Sequence, residues 1–351
     1  MSVGGVAVLE RAQRVRVWPA SGRVVVTGAT GFVGSRLVRK LVALRMPVRA
    51  VVRSGRAAAP LQGVDCEVVQ ADVQDAPSLD TAFRECAAVV HLVAILRERG
   101  ALTYEAINRI GTANVIAAAH RQGVGRIVHM SALGAHPNST RYLRSKWAGE
   151  EEVRRGAVPY AIFRPSILLG PNGGAAAQFA DLVRLGIWYP FRRWIRPNTM
   201  LARLPGMVPI VPILGSGQAR FMPVHVDDVI EAVSQAVHRD DVLGETYEVG
   251  GPDVVTYEGI LTAIAEALKV RRWVVHVPLA VAWVMVRLFA LLPDPPITAD
   301  EFESLIRDNL CDNTKVRRVF QLVLRPFRMA IADALGRPLA TAGGAQGGEG
   351  K

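Results

Sequence analysis

Tyr142 and Lys146 stand four residues apart in a run, Arg141 to Arg155, whose pattern predicts a helix. At that spacing two side chains share a helix face and reach one another. A phenol beside an ammonium is an acid–base pair, because the cation favours the phenolate and draws the Tyr pKa down from its usual ~10. Such a phenol exchanges a proton with a hydroxyl or carbonyl group of a bound molecule. Ser131 follows a predicted strand at Arg126 to Met130 and offers a hydroxyl to hold the same oxygen. Asn108, inside a predicted helix from about Thr103 to Gln122, is placed to organise a relay water near Lys146. These four form the candidate catalytic set. A plainer account also fits, in which Tyr142 only packs and Lys146 only binds a cofactor.

What such a pair does depends on what binds beside it. Val24 to Val26 read as a buried parallel strand, and a helix from about Gly31 to Leu44 carries apolar residues at helical spacing. Between them runs Thr27-Gly28-Ala29-Thr30-Gly31-Phe32-Val33-Gly34. Gly28 permits the tight turn, Gly31 lets a pyrophosphate approach the backbone, and Gly34 lets the helix pack closely on the strand. The phosphates then meet unpaired N–H groups at the positive end of the helix dipole. A second strand, Val48 to Val52, completes the context of a dinucleotide site.

That second strand ends in Arg53-Ser54-Gly55-Arg56, where an acidic residue would grip an adenosine ribose. Arg53, with Arg56 assisting, suits a 2′-phosphate instead, so NADP(H) is expected over NAD(H). A solvated basic loop is the alternative. Asp72, just past a third strand at Cys66 to Gln70, suits either an adenine amine or the cap of a helix at Pro77 to Phe83. The candidate cofactor contacts are Thr27, Gly28, Thr30, Gly31, Phe32, Val33, Gly34, Arg53, Arg56, Asp72, Val73, Val93, Ala94, Lys146 and Pro165. No metal is expected. With a nicotinamide bound there, hydride would pass between cofactor and substrate carbon while Tyr142 moves the proton.

The remaining elements are those needed to hold this site. A fourth strand at Ala88 to Val93 carries His91 as a packed residue, and a sixth at Tyr160 to Arg164 precedes Pro165. Val224 to Asp228 reads as a strand ending in an Asp cap for a helix at Val229 to Val237, and Tyr257 to Leu268 as an amphipathic helix. The expected organisation is a flexible arm at 1–21, an NAD(P)-binding domain at 22–165 that also receives later strands, a substrate domain at 166–338 and a disordered tail at 339–351.

The chain has 351 residues, half of them hydrophobic, and a net charge of +11 that favours an anionic partner. No nucleic-acid motif accompanies that charge, so nucleic acid is not expected. Cys66, Cys86 and Cys311 have no paired or metal-ligand spacing and read as reduced thiols of a cytoplasmic protein. No secretory signal is read at the start. Peripheral attachment to the inner face of a membrane, or to a membrane complex, is the added expectation. Residues 186–196 mix Trp188, Tyr189, Phe191 and Trp194 with Arg192, Arg193 and Arg196, a membrane-interface composition. Val277 to Leu292 is apolar except for Arg287 and too short to span a bilayer, so it reads as a buried or surface-lying helix.

Several of these motifs together carry a family resemblance. Thr27-Gly28 with Gly31 and Gly34, Asn108 with Gly111-Thr112, Ser131, Tyr142 with Lys146, and Arg164-Pro165-Ser166 resemble the extended and atypical short-chain dehydrogenase/reductase superfamily. His129 to Ala135, Tyr142 to Glu150 and Pro223 to Val229 are similar to the nucleotide-binding accessory subunit of respiratory complex I and its bacterial relatives. The resemblance covers roughly residues 22–330 and is specific to about 260; residues 186–205 depart from it. It implies an α/β fold, a Rossmann doubly wound parallel sheet with a smaller C-terminal α/β substrate domain. It also implies NADPH, either as a working cofactor or as a permanent structural ligand.

Three functions follow from this reading. The first is an NADP(H)-dependent oxidoreductase or epimerase acting on a carbonyl or hydroxyl compound, with sugar nucleotides, isoprenoids or quinones and steroid-like molecules all open. The second is a non-catalytic NADPH-binding subunit of a membrane respiratory complex. The third is a redox-sensing regulator.

Overall fold

The computed structural model describes residues 22–191, 209–292 and 295–336. Alternating strands and helices open the chain: β1 (Arg23–Thr27), α1 (Phe32–Ala43), β2 (Val48–Val52), β3 (Glu67–Gln70), α2 (Ala76–Ala82) and β4 (Cys86–His91). Next come α3 (Gly111–Arg121), β5 (Arg126–Met130), α4 (Arg141–Arg155), β6 (Tyr160–Pro165), β7 (Leu168–Leu169) and α5 (Gly174–Leu185). After them lie β8 (Ile210–Leu214), β9 (Arg220–Phe221), β10 (Val224–His225), α6 (Val226–Ala236), β11 (Glu245–Val249), β12 (Val255–Thr256) and α7 (Tyr257–Leu268). The last elements are β13 (Trp273–Val277), α8 (Leu279–Phe289), α9 (Ala299–Leu305), α10 (Thr314–Phe320) and α11 (Phe327–Ala334).

Seven parallel strands form the main sheet, in the order β11-β6-β5-β4-β1-β2-β3. The β-branched run in β1 explains its central place. Val24 and Val26 face the core under α1 and α6, and Val25 faces the opposite core under α3 and α4. A strand covered on both faces has no room for polar alternation, so a continuous Val run is what this position selects. The strand order reverses at β1 and β4, whose carboxyl ends therefore leave a crevice between them. A separate apolar cluster joins α5, α7, α11 and β8.

Four local expectations need correction. The helix expected from Thr103 begins with a π-helical turn, Glu105–Ile110, before α3. His225, not an Asp, caps α6: its ring accepts from the Asp227 N–H at 3.2 Å, and the strand before it is only two residues long. The Asp228 carboxylate is turned away to accept the Arg325 N–H at 2.8 Å. Asp75, not Asp72, caps α2 by accepting the Ser78 N–H. The expected arm at 1–21 and tail at 339–351, with residues 192–208 of the aromatic-basic stretch, lie outside the described residues. The apolar run Val277 to Leu292 forms the end of β13 and the surface-lying helix α8, and no described helix is long and apolar enough to cross a membrane.

Candidate functional site

The turn after β1 is built for close approach. Gly28 adopts φ +72°, and a Cβ there would sit 3.1–3.3 Å from the backbone of Leu92 and Val93 at the end of β4. A Cβ on Gly34 would lie 2.1 Å from the Gly28 carbonyl oxygen, so only glycine lets α1 pack this tightly. The Gly31 N–H closes the turn on the Gly28 carbonyl at 3.0 Å, and no side chain caps α1. Its first N–H groups are thus free to meet an anion.

The structure gathers most of the expected cofactor residues along this crevice and sorts their roles. Thr27 turns its hydroxyl inward to the His91 ring at 2.8 Å, so it braces β1 against β4. Phe32 packs under Gly170, Gly173 and Gly174, with the Arg36 guanidinium 5.0 Å from its ring centre, so its side chain serves the loop after β7. Thr30 and Val33 are half-buried beside it. Arg53 is exposed beyond β2 and has no bonding partner among the described residues; the Arg56 side chain lies outside them. Asp72 accepts from the Gln74 N–H at 3.0 Å. Val73 packs against Gly111. Val93 is half-buried and Ala94 exposed, both following β4. Pro165 closes β6, and its carbonyl accepts the Leu133 N–H at 2.9 Å.

Of the residues expected to do acid–base chemistry, Ser131 and Lys146 meet at the end of β5. The Ser131 N–H bonds the Phe163 carbonyl at 2.7 Å, which fixes the backbone, while its hydroxyl is buried without a partner. A buried hydroxyl left unpaired is costly, so a ligand oxygen is its natural complement. Lys146 is buried and donates from Nζ to the Met130 carbonyl at 2.7 Å; burial pulls its pKa down to about 8. Tyr142 is half-buried, its ring 5.9 Å from that of Tyr104. Burial pushes its phenol up to about 12, the reverse of the lowering expected from Lys146. The reason is that the ammonium is committed to the Met130 carbonyl and sets nothing against desolvation of the phenolate.

Asn108 is buried in the π-helical turn. Its Oδ1 accepts the Ile95 N–H at 2.9 Å, and its Nδ2 donates to the Ser145 hydroxyl at 2.9 Å and the Ile95 carbonyl at 3.3 Å. It ties the loop after β4 to α4, so its side chain works as a brace. The relay role expected for it finds no support in these contacts.

Sequence reasoning missed three supports. Glu150, fully buried on α4, accepts three bonds of 2.7 Å, two from Arg164 on β6 and one from Arg154. His129 is buried with both ring nitrogens unpartnered, stacked 5.3 Å from His91, and burial holds both rings neutral. The third is the C-terminal segment. Arg97 forms a bidentate pair with Glu301 at 2.8 Å, Asp300 accepts the Arg141 N–H at 3.1 Å, and Asn309 bonds the Ser166 hydroxyl and the Leu133 carbonyl. The neighbouring Glu98 and Arg141 carry charges that pair in turn at 2.7 Å, a signal visible only once α4 and the loop meet.

Comparison with known proteins agrees with this geometry. A family model described as NAD(P)H-binding matches residues 28–181, from the first glycine of the turn through most of α5. Over 312 residues the chain is 28% identical to NADH dehydrogenase [ubiquinone] 1 alpha subcomplex subunit 9 of Arabidopsis thaliana, covering 83% of this chain and 71% of that one. Over 228 residues it is 30% identical to ceramide reductase of Caulobacter vibrioides, covering 64% of this chain and 63% of the reductase. The UDP-glucose 4-epimerase structure from Thermotoga maritima superposes with a TM-score of 0.66 at 18% identity, covering 90% and 97% of the two chains, a likeness of fold. Residues 28–181 thus match an NAD(P)H-binding family, and the whole chain shares its fold with the epimerase structure.

Proposed function

We propose that the protein is an NADP(H)-dependent oxidoreductase that interconverts a carbonyl and a hydroxyl group on an apolar small molecule. The observation that carries this reading is the buried, unpartnered Ser131 hydroxyl on the strand whose Met130 carbonyl holds Lys146. Ser131 would donate to the substrate oxygen, and the Tyr142 phenol, kept protonated by its burial, would deliver the proton. Lys146 would hold the cofactor ribose, the Gly28–Gly34 turn the pyrophosphate, and Arg53 the 2′-phosphate. When bound, NADP(H) supplies the hydride. An apolar substrate is supported by the likeness to a protein named ceramide reductase.

A second reading has one observation in its favour, the likeness over 83% of the chain to a complex I subunit. Under it the same cleft holds NADPH without turnover.

Calorimetry on the full chain tests the cofactor choice. A charge-assisted contact from Arg53 contributes roughly 1.5–3 kcal/mol, about tenfold or more in affinity. NADPH should bind that much more tightly than NADH, and Arg53→Ala should remove the difference while leaving NADH affinity alone. Equal affinity for the two cofactors in the wild type contradicts the assignment.

A further inference from the structure

Helix α8 is apolar except for Arg287, yet only one side is covered. Ala282 and Val286 are buried, and Trp283 packs edge-on against Phe302 at 4.9 Å. The opposite stripe, Val281, Val284 and Leu288, recurs at helical spacing and is 50%, 56% and 60% exposed, and Leu291 just past the helix end is 82% exposed. Just upstream on β13, Trp273 and Val275 project from the strand to solvent, Trp273 at 71% exposure. A helix apolar all round belongs inside a protein or against lipid, and a contiguous exposed stripe of this kind marks an interaction surface.

The charges around it select the partner. From Ala267 to Leu292 the chain has no Asp or Glu but carries Lys269, Arg271, Arg272 and Arg287. Lys269, Arg271 and Arg287 are exposed, and among the described residues no carboxylate pairs with them. Of the flanking acids, Glu258 lies 3.2 Å from His276 on β13 itself, and Glu266 lies 3.8 Å from Arg328. An apolar helix face, an exposed Trp and unpaired cations are the features of an element that lies in the plane of an anionic bilayer. At 11 residues α8 is far too short to cross one.

We propose that α8 and the face of β13 dock the protein on an anionic phospholipid surface, with Val281, Val284, Leu288 and Leu291 entering the acyl boundary. Flotation of the full chain with phosphatidylcholine–phosphatidylglycerol vesicles tests this. The wild type should float at low salt, bind phosphatidylcholine vesicles weakly, and be released as salt screens the cations. Val284→Glu combined with Leu288→Glu should lower vesicle partition roughly tenfold or more. Both sites face solvent, so the variant should keep its melting temperature and its NADPH affinity. Absence of flotation at low salt, or equal flotation by the variant, overturns the proposal. So does sedimentation equilibrium showing a wild-type dimer that the same variant turns into a monomer, because the occupant is then a second copy of the chain.

Discussion

Lys146 donates from Nζ to the carbonyl oxygen of Met130 at 2.7 Å, one residue ahead of the unpartnered Ser131 hydroxyl. One bond therefore ties α4 to the end of β5. It uses one of the ammonium's three donors, and the burial of this Lys leads to a measurable pH dependence.

Burial lowers the Lys146 pKa to about 8 from its ordinary 10.5. Below pH 8 the amine is charged in both states, and the fold carries the cost of a buried cation. Between about 8 and 10.5 the unfolded chain holds a proton that the native protein has released, so this residue's contribution to stability rises with pH. Urea denaturation of wild type and Lys146→Met should show their difference shifting toward the wild type across that window, by up to about 1.4 kcal/mol per pH unit. A difference that stays flat with pH would mean the amine is not desolvated.

Tyr142 is half-buried with its phenol held protonated, which suits it to give a proton to a carbonyl under reduction. Tyr142→Phe keeps the ring and its contact with Tyr104 but removes the proton. Turnover should fall ~10²–10⁴-fold with NADPH affinity unchanged. An undiminished rate in this variant would assign the acid to another group.

Glu150 has no exposed surface and satisfies two guanidinium groups at once. Glu150→Ala removes the buried carboxylate shared by Arg164 and Arg154 and leaves them Glu248 at 3.6 Å and Glu151 at 2.8 Å, so the cost stays below the roughly 3–5 kcal/mol of a charge left with no partner. The melting temperature should drop by about 5 °C. Glu150→Gln, which keeps an acceptor, should lose less. A melt of Glu150→Ala that overlays the wild type would show that the pairing contributes little.

The readable parts of the fold were those encoded locally. The Val24–Val26 run, the three glycines and the 141–155 helix are short-range patterns, and α4 begins and ends at the expected residues. The glycine turn could be read because its constraint is steric and falls on Gly34 itself, with 2.1 Å to the Gly28 oxygen. Features that depend on partners far along the chain could not be read in this way. Asp75 outcompeted Asp72 as a cap because Asp72 accepts from Gln74 instead. His225 took the α6 cap because Arg325, a hundred residues later, engages both Asp228 and the His225 ring. The direction of the Tyr142 shift followed from burial, which no spacing reports. The Arg97–Glu301 pair joins residues too distant for any local pattern to link.

Hydride chemistry in this cleft, as against storage of a cofactor, is tested most directly by supplying NADPH deuterated at the transferable position, together with a panel of apolar ketones and a total lipid extract. Deuterium is expected on the carbinol carbon of at least one apolar alcohol, with the label lost in Tyr142→Phe and in Ser131→Ala. Tight NADPH binding with the deuterium retained on the cofactor, across every carbonyl offered, would contradict it and leave the chain as a nucleotide-holding subunit.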